Sequence, residues 1–192
     1  MNNYIKIANF ITPQRKNNVS LDIFTSTGSF MELMDGLTKG EKYAILKINE
    51  EVMMSETPME HRTNIDFIHH AYGDVLIGGL GIGMIIMAIQ DDPKVTSITV
   101  IEQNQDVIDI ISSQIPFNNK VKIIQADVFK WKPNMRYDCI YMDIWAYVNR
   151  DVYEEMVKLK RKYGHYLKPL SESPNRFNKC WAEYQARNNL RL

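Results

Sequence analysis

Val75-Leu76-Ile77-Gly78-Gly79-Leu80-Gly81-Ile82-Gly83 is the stretch that decides the fold of this 192-residue chain. Its first three residues predict a buried strand, because they are apolar and lead directly into glycines. The glycines let the backbone turn tightly and let a ligand approach closely. Residues 83–90 then have the pattern of a helix, whose N-terminus presents free N–H groups. A strand, a glycine loop and a helix in this order predict a ligand site at the end of the strand.

Glu102 ends the next predicted strand, residues 97–102, and lies nineteen residues after Gly83. A carboxylate at this place can accept hydrogen bonds from ribose hydroxyl groups. The glycines follow G-x-G-x-G, whereas the dinucleotide fingerprint G-x-G-x-x-G/A needs glycine or alanine where Met84 stands. The loop and Glu102 therefore predict a nucleoside site. A nicotinamide-dependent enzyme is less favoured than the other interpretations. A purely structural turn is the alternative for the glycines.

Strands and helices alternate through the middle of the chain. A helix is predicted at 104–115, and further strands at 121–125 and 138–143. Near-continuous apolar strands separated by helices predict an α/β fold, namely a Rossmann-like, doubly wound and mostly parallel sheet. Helices are expected at 150–163 and 176–188, with a weak fifth strand near 165–167. The sheet is thus expected to be shortened at its C-terminal end.

Residues 1–60 predict a small β-rich cap that precedes the Rossmann-like domain of residues 61–192. Alternating stretches at 4–7 and 19–24 flank a turn at Asn17-Asn18. Ser29 can cap a short helix over 29–37, because Glu32 follows it at capping-box spacing. Residues 42–47 and 52–55 predict a β-hairpin.

Composition excludes several classes of protein. Apolar residues make up 45% of the chain, so disorder is not expected to be its main state. The 23 basic and 23 acidic residues cancel, which argues against binding to nucleic acid through net charge. Residues 146–192 are basic, but a nucleic-acid role there is not favoured over a solvated helix face. Cys139 and Cys180 are too few for a disulfide scaffold and fit a reducing compartment.

A cytoplasmic location without a membrane segment is expected. The longest uncharged apolar run, residues 75–89, is shorter than a bilayer-spanning helix. The first ten residues lack the pattern of a signal peptide. No metal site is predicted, because His61, His69 and His70 lack a convincing third ligand. A homodimer is left open.

The motifs around residues 73–145 resemble those of class I S-adenosylmethionine-dependent methyltransferases, and by eye most closely the spermidine-synthase-like branch, including short proteins of phage type. The resemblance rests on the glycine loop, on Val100-Ile101-Glu102 and on Tyr137-Asp138 through Asp143. It implies S-adenosylmethionine as the cofactor, with the glycines against its methionine part, Glu102 on its ribose and Asp127 on its adenine. The cofactor-binding residues implied are Gly78, Gly79, Leu80, Gly81, Gly83, Glu102, Gln103, Ala126 and Asp127.

Asp143 is the candidate catalytic base, since acidic residues at the carboxyl ends of parallel strands converge on ligand sites. His61, Trp145 and Tyr147 are candidates for contact with a small-molecule acceptor. Each has a structural alternative: a core histidine for His61, and packing for the two aromatic residues. Asp127 could equally cap a loop.

Three functions are carried forward. The first is methyl transfer from S-adenosylmethionine to an unidentified acceptor. The second is a spermidine-synthase-like aminopropyl transfer. That family carries a second acid three residues after the first, followed by proline, whereas Ala146-Tyr147 stand here. The third is a non-catalytic module that binds a nucleoside or a partner.

Overall fold

Two β-sheets organise the computed structural model of the chain, which describes residues 5–190. The N-terminal sheet is antiparallel, with its four strands in chain order. Its strands are β1 (Gln14–Lys16), β2 (Val19–Thr25), β3 (Lys42–Ile48) and β4 (Glu51–Ser55). The short helix α1 (Phe30–Met34) joins β2 to β3 and begins at the predicted capping box of Ser29 and Glu32. The β-rich N-terminal region is therefore present, and its last two strands form the predicted hairpin.

One predicted strand of this region is wrong where the structure describes it. Tyr4 lies outside the described residues, and Ile7–Asn9 form a 3₁₀ turn. The reason is a buried carboxylate: Glu56 accepts hydrogen bonds from the N–H groups of Ile7 and Ala8. It also accepts one from Ala44 in β3. These backbone donors therefore pair with a side chain instead of a neighbouring strand.

The second sheet is parallel throughout and has the strand order β7-β6-β5-β8-β9. Its strands are β5 (Gly73–Gly78), β6 (Val95–Glu102), β7 (Val121–Gln125), β8 (Cys139–Met142) and β9 (Phe177–Cys180). The helices around it are α2 (Pro58–His70), α3 (Met84–Ile89), α4 (Gln105–Ser112), α5 (Arg150–Gly164) and α6 (Glu183–Asn188). This confirms the predicted α/β architecture.

Helices cover both faces of the parallel sheet. On β5, Val75 and Ile77 pack into a core shared with α2, α3 and α4, whereas Leu76 faces the opposite side. There it packs with apolar residues of α5 and α6. Alternate residues of a strand point to opposite faces, which explains the near-continuous apolar run. The first core also contains residues of the N-terminal sheet, so the two sheets pack together.

The C-terminal part corrects two predictions. The fifth strand is Phe177–Cys180, whereas Leu167 makes only an isolated bridge to Tyr137. The predicted helix over 176–188 is therefore wrong in its first half, and only Glu183–Asn188 is helical. The strand lies at the edge of the sheet, where polar Asn178 and Lys179 are tolerated and weaken the apolar signal. The expected division at residue 60 falls inside α2 and stays a prediction.

Candidate functional site

A cavity of about 570 Å³ opens at the carboxyl ends of the parallel strands. We call it the main cavity. One wall comes from the residues that follow β5, β6, β7 and β8, including Gly79, Gly81, Glu102 and Asp143. The opposite wall comes from the β3–β4 hairpin and from Glu60 of α2. The order of the strands reverses between β5 and β8, and open α/β sheets bind ligands at such a switch point.

Gly79 and Gly81 are the two loop glycines that border the main cavity, and both have a positive φ. A Cβ on Gly79 would lie 2.0 Å from the carbonyl oxygen of Asp143. A Cβ on Gly81 would lie 2.2 Å from the sulfur atom of Met54 in the hairpin. The loop therefore needs glycine to fit between β8 and the hairpin, whatever it binds.

The other predicted loop residues build the turn and do not line the main cavity. Gly78 packs where a Cβ would meet the sulfur atom of Met142 at 2.6 Å. Gly83 has φ +78° and directly precedes α3, while the Leu80 side chain is buried. The structure places these three residues in the turn and outside the cavity lining, and their contact with a cofactor stays a prediction.

Glu102 holds the glycine loop and still faces the main cavity. One carboxylate oxygen accepts a hydrogen bond from the Leu80 N–H at 3.0 Å, and the other accepts one from the Asn104 N–H at 2.8 Å. Each carboxylate oxygen can accept a further hydrogen bond. The half-buried group can therefore receive two hydroxyl donors from a ligand. Gln103 is exposed and lies at the rim.

Asp127 lies beside the main cavity without lining it. Its carboxylate accepts a hydrogen bond from the Phe129 N–H at 2.8 Å and pairs with Lys130 at 3.2 Å. The backbone hydrogen bond from Phe129 is the main cause of its lowered pKa. This arrangement favours the loop-cap interpretation. Ala126, a predicted cofactor-binding residue, does line the cavity. Val128 and Phe129 line it as well, and neither is among the predicted site residues.

Two carboxyl groups, those of Asp143 and Glu60, line the main cavity. Asp143 follows β8, and its N–H donates to the carbonyl oxygen of Gly78 at 2.7 Å. Burial, and then the charge of Glu60, raise the pKa of Asp143 well above its usual value. Glu60 is 8% exposed, and burial raises its pKa to about 7. Glu60 carries no signal in the sequence, because only the packing of α2 against the sheet brings it to the cavity that Asp143 lines.

His61 lies away from the main cavity, and its contact with an acceptor stays a prediction. It lines a second cavity with Tyr43, Pro58 and Arg62. Successive helix residues point about 100° apart, and here Glu60 and its neighbour His61 face different cavities. Burial lowers the pKa of His61 to about 4, with a further contribution from the charge of Lys6. His61 is thus a packed, neutral histidine.

The two aromatic candidates after β8 have different positions. Trp145 lines the main cavity, and its indole N–H donates to Glu155 at 2.8 Å. Tyr147 is 64% exposed and borders only a neighbouring cavity, which Trp145 also lines. The chain leaves the main cavity between Trp145 and Tyr147. Tyr147 therefore lies outside the main cavity, and its contact with an acceptor stays a prediction.

In the part of the chain that the structure describes, no side chains are arranged as a metal site or as a reactive-thiol site. No group of three or more His, Cys, Asp or Glu residues there has the arrangement of a metal site. Cys139 and Cys180 are buried and unpaired by disulfide, and burial raises the pKa of both thiols. Both thiols belong to the hydrophobic core. No helix of residues 5–190 is long and apolar enough to cross a bilayer.

Comparison with known proteins finds relatives by structure alone, since no family profile and no curated sequence matches. Spermidine synthase from Thermotoga maritima superposes with a TM-score of 0.52 at 17% identity, over 82% of this chain and 52% of that one. The N-methyltransferase NodS from Bradyrhizobium japonicum matches with a TM-score of 0.46 at 16% identity, over 58% of this chain and 64% of that one. The chain thus spans 52% and 64% of the lengths of these two proteins.

The match to the spermidine synthase extends beyond the parallel sheet. Residues 58–190, from α2 onward, make up less than three quarters of the chain, so 82% coverage includes part of residues 1–57, the region that contains the N-terminal sheet. At this identity the likeness concerns the fold. The strand order, the glycine turn after the first parallel strand and the acid after the second agree with it. The chain therefore has a Rossmann-like α/β fold similar to that of this spermidine synthase, packed against an N-terminal antiparallel sheet.

Proposed function

We propose that this chain is an S-adenosylmethionine-dependent methyltransferase that transfers a methyl group to a small-molecule acceptor. The observation that carries the proposal is the position of Glu102 beside Gly79 and Gly81 in the lining of one cavity, at the switch point of a parallel sheet. In this cavity the Glu102 carboxylate can accept hydrogen bonds from ribose hydroxyl groups, and the glycine backbone lets a ligand approach closely. A structural turn alone would not require Glu102 to face the cavity.

The residues of the main cavity fit the proposed donor. Its volume lies within the ordinary range for small-ligand sites. Ile101, Ala126 and Val128 give an apolar surface for a nucleobase next to Glu102. Among the described lining residues there are carboxyl groups but no lysine, arginine or histidine, which suits a cationic sulfonium. When bound, the donor supplies an electrophilic methyl group.

The chain's own residues orient the reactants and handle a proton. The strand ends and the hairpin enclose the cavity, so that the two reactants are held in line, and such positioning can lower a barrier by several kcal/mol. Asp143 is the candidate base for an acceptor that must lose a proton, because it lines the cavity and its raised pKa, caused mainly by burial, makes its carboxylate a stronger base. Met53 and Met54 of the hairpin cover the cavity with apolar side chains that exclude water.

Ligand-dependent unfolding tests the cofactor. We expect S-adenosylmethionine and S-adenosylhomocysteine, each at about 100 times its dissociation constant, to stabilise the protein by about 2.7 kcal/mol. NAD should have no such effect. Glu102→Ala should weaken binding of both sulfur nucleosides roughly ten- to hundredfold, because it removes hydrogen bonds to a charged group. Unchanged affinity in calorimetry would show that Glu102 does not bind the ribose.

Aminopropyl transfer is the second candidate, favoured by the match to a spermidine synthase that extends into residues 1–57. Ala146 argues against it, because an acid at this position would be needed to hold a polyamine. The two reactions leave different nucleosides. Mass spectrometry of the spent donor separates S-adenosylhomocysteine from methylthioadenosine.

A further inference from the structure

The helix α1 carries apolar side chains that the described part of the chain leaves uncovered. No residue of α1 is buried. Its four large apolar residues keep most of their surface exposed: Phe30 (75%), Met31 (69%), Leu33 (53%) and Met34 (70%). We call these four residues the α1 surface, and at about 180 Å² for a fully exposed large residue they present about 500 Å² together. An apolar surface of this size lies at the upper end of what monomeric proteins expose, and it often marks an interaction site.

Polar contacts at its own ends hold α1 in this position. The Glu32 carboxylate accepts hydrogen bonds from the Thr27 hydroxyl at 2.7 Å and from the Ser29 N–H at 3.0 Å. After the helix, the Leu37 N–H donates to the carbonyl oxygen of Glu32 at 2.8 Å, and the Leu37 side chain is buried. The helix is therefore anchored without the four residues of the α1 surface, which remain available to a partner.

The second cavity lies next to the α1 surface. Gly36, two residues after the end of α1, belongs to its lining. A Cβ on Gly36 would lie 3.4 Å from Pro58 and 3.6 Å from Nη1 of Arg62, so the turn that ends α1 packs on the start of α2. The cavity has a volume of about 460 Å³, and Tyr43, Pro58 and Ile65 give it apolar walls. An exposed apolar helix and an apolar cavity therefore adjoin on one face of the molecule.

Two residues of opposite charge lie on the same face. Asp35 directly follows α1, Arg62 borders the second cavity, and both are exposed. Neither is in an ion pair among the residues that the structure describes. An acid at the C-terminal end of a helix is unfavourable by itself, because the last carbonyl groups already make that end negative. A surface that covers this face is therefore expected to bring a cation to Asp35 and an acid to Arg62.

A second copy of this chain meets these requirements. It supplies apolar side chains to fill the cavity and a cavity to receive α1, and it brings Arg62 to Asp35 and Asp35 to Arg62. A two-fold dimer needs such a self-complementary face, since each copy contributes both parts. The two α1 surfaces amount to about 1,000 Å², and the cavity walls opposite them bring the buried area into the range of about 1,200–2,000 Å² found for stable interfaces.

We propose that the chain forms a two-fold symmetric homodimer in which α1 of each copy packs into the second cavity of the other. Asp35 of each copy then lies against the partner's Arg62. The second cavity shares no lining residue with the main cavity, so this interface does not depend on the proposed methyl transfer.

Sedimentation equilibrium of the full chain at a series of protein concentrations is the first test. The wild type should sediment with twice the 22.4 kDa mass of one chain. Phe30→Ser combined with Met34→Ser should raise the dissociation constant of the dimer at least about tenfold, because the interface loses two apolar anchors from each copy. Leu170→Ser should leave it unchanged, since Leu170 is 60% exposed but belongs to neither the α1 surface nor the second cavity. Circular dichroism verifies that each variant is folded.

Charge reversal tests how the two copies are arranged. Asp35→Arg alone and Arg62→Asp alone should each raise the dissociation constant at least about tenfold, because each places like charges opposite one another. The double variant restores opposite charges across the interface and should return the dissociation constant towards the wild-type value. A double variant that dimerises no better than the single variants would overturn this arrangement.

Other results would also overturn the proposal. One is a wild type that stays monomeric at every concentration, and another is a dimer that Phe30→Ser with Met34→Ser leaves unchanged. Vesicles of phosphatidylcholine and phosphatidylserine test a membrane as the alternative occupant. Residues 29–35 contain no lysine or arginine to attract an anionic bilayer, so we expect no co-sedimentation. Vesicle binding by a monomeric wild type, abolished by Phe30→Ser with Met34→Ser, would assign the α1 surface to a membrane instead.

Discussion

Replacing Glu60 by glutamine should make the stability of the protein less sensitive to pH. Burial raises the pKa of Glu60 from 4.5 to about 7, so between these values the folded state binds more protons than the unfolded state. Stability must then fall as the pH rises through this window. Each pH unit over which the two states differ by one proton corresponds to about 1.4 kcal/mol, which gives about 3 kcal/mol in all. Because Glu60 is only 8% exposed, solvent screening reduces this value little.

Urea denaturation at several pH values measures this effect. Relative to the wild type, Glu60→Gln should gain about 3 kcal/mol between pH 4.5 and pH 8, and relief of Asp143 adds in the same direction. A constant cost of the buried amide cancels, since the change with pH carries the prediction. Glu172→Gln, at an exposed glutamate outside the main cavity, is the control and should run parallel to the wild type. If the Glu60→Gln curve is also parallel to within about 0.5 kcal/mol, the pKa of Glu60 is not raised and the reasoning fails.

Three further changes test the packing of the fold. Gly79→Ala should cost more than about 3 kcal/mol in urea denaturation, because its Cβ would overlap the carbonyl oxygen of Asp143 and its φ is positive. Glu56→Ala should cost about 3–6 kcal/mol, since it leaves three buried N–H donors without an acceptor. A loss below about 1 kcal/mol would contradict this. Lys168→Met should cost about 1–3 kcal/mol, because the lysine contacts the carboxylate of Asp138 at 2.7 Å in a largely buried pair, and thermal unfolding measures the loss.

The sequence predicted those features that depend on local pattern. The apolar run before Gly78, the glycine spacing and the acid at the end of the next strand all lie within thirty residues of one another. The structure places Gly79, Gly81 and Glu102 around one cavity. Parallel strands bring their carboxyl ends to a common edge, so position along the strand was enough to predict this convergence.

The features that were missed depend on tertiary packing. Phe177–Cys180 is an edge strand with two polar residues. The residues that follow it have a helical pattern, so the whole segment was predicted to be a helix. Glu60 and His61 are adjacent in α2, and the sequence does not fix which of them faces the sheet. The helix is so polar on average that its apolar stripe does not define its rotation. The docking of α2, through Asn64 and Tyr141, directs Glu60 inward.

The two-sided construction of the main cavity has a consequence for the evolution of specificity. The strand ends supply the backbone turn and Glu102, whereas Met53 and Met54 come from a hairpin that belongs to the other sheet. Substitutions in that hairpin would change the shape of the space around an acceptor without altering the residues proposed to bind a nucleoside. Methionine side chains adapt readily to new shapes. Under the proposed methyl transfer, varying the five residues of β4 would change the acceptor while the donor stays the same.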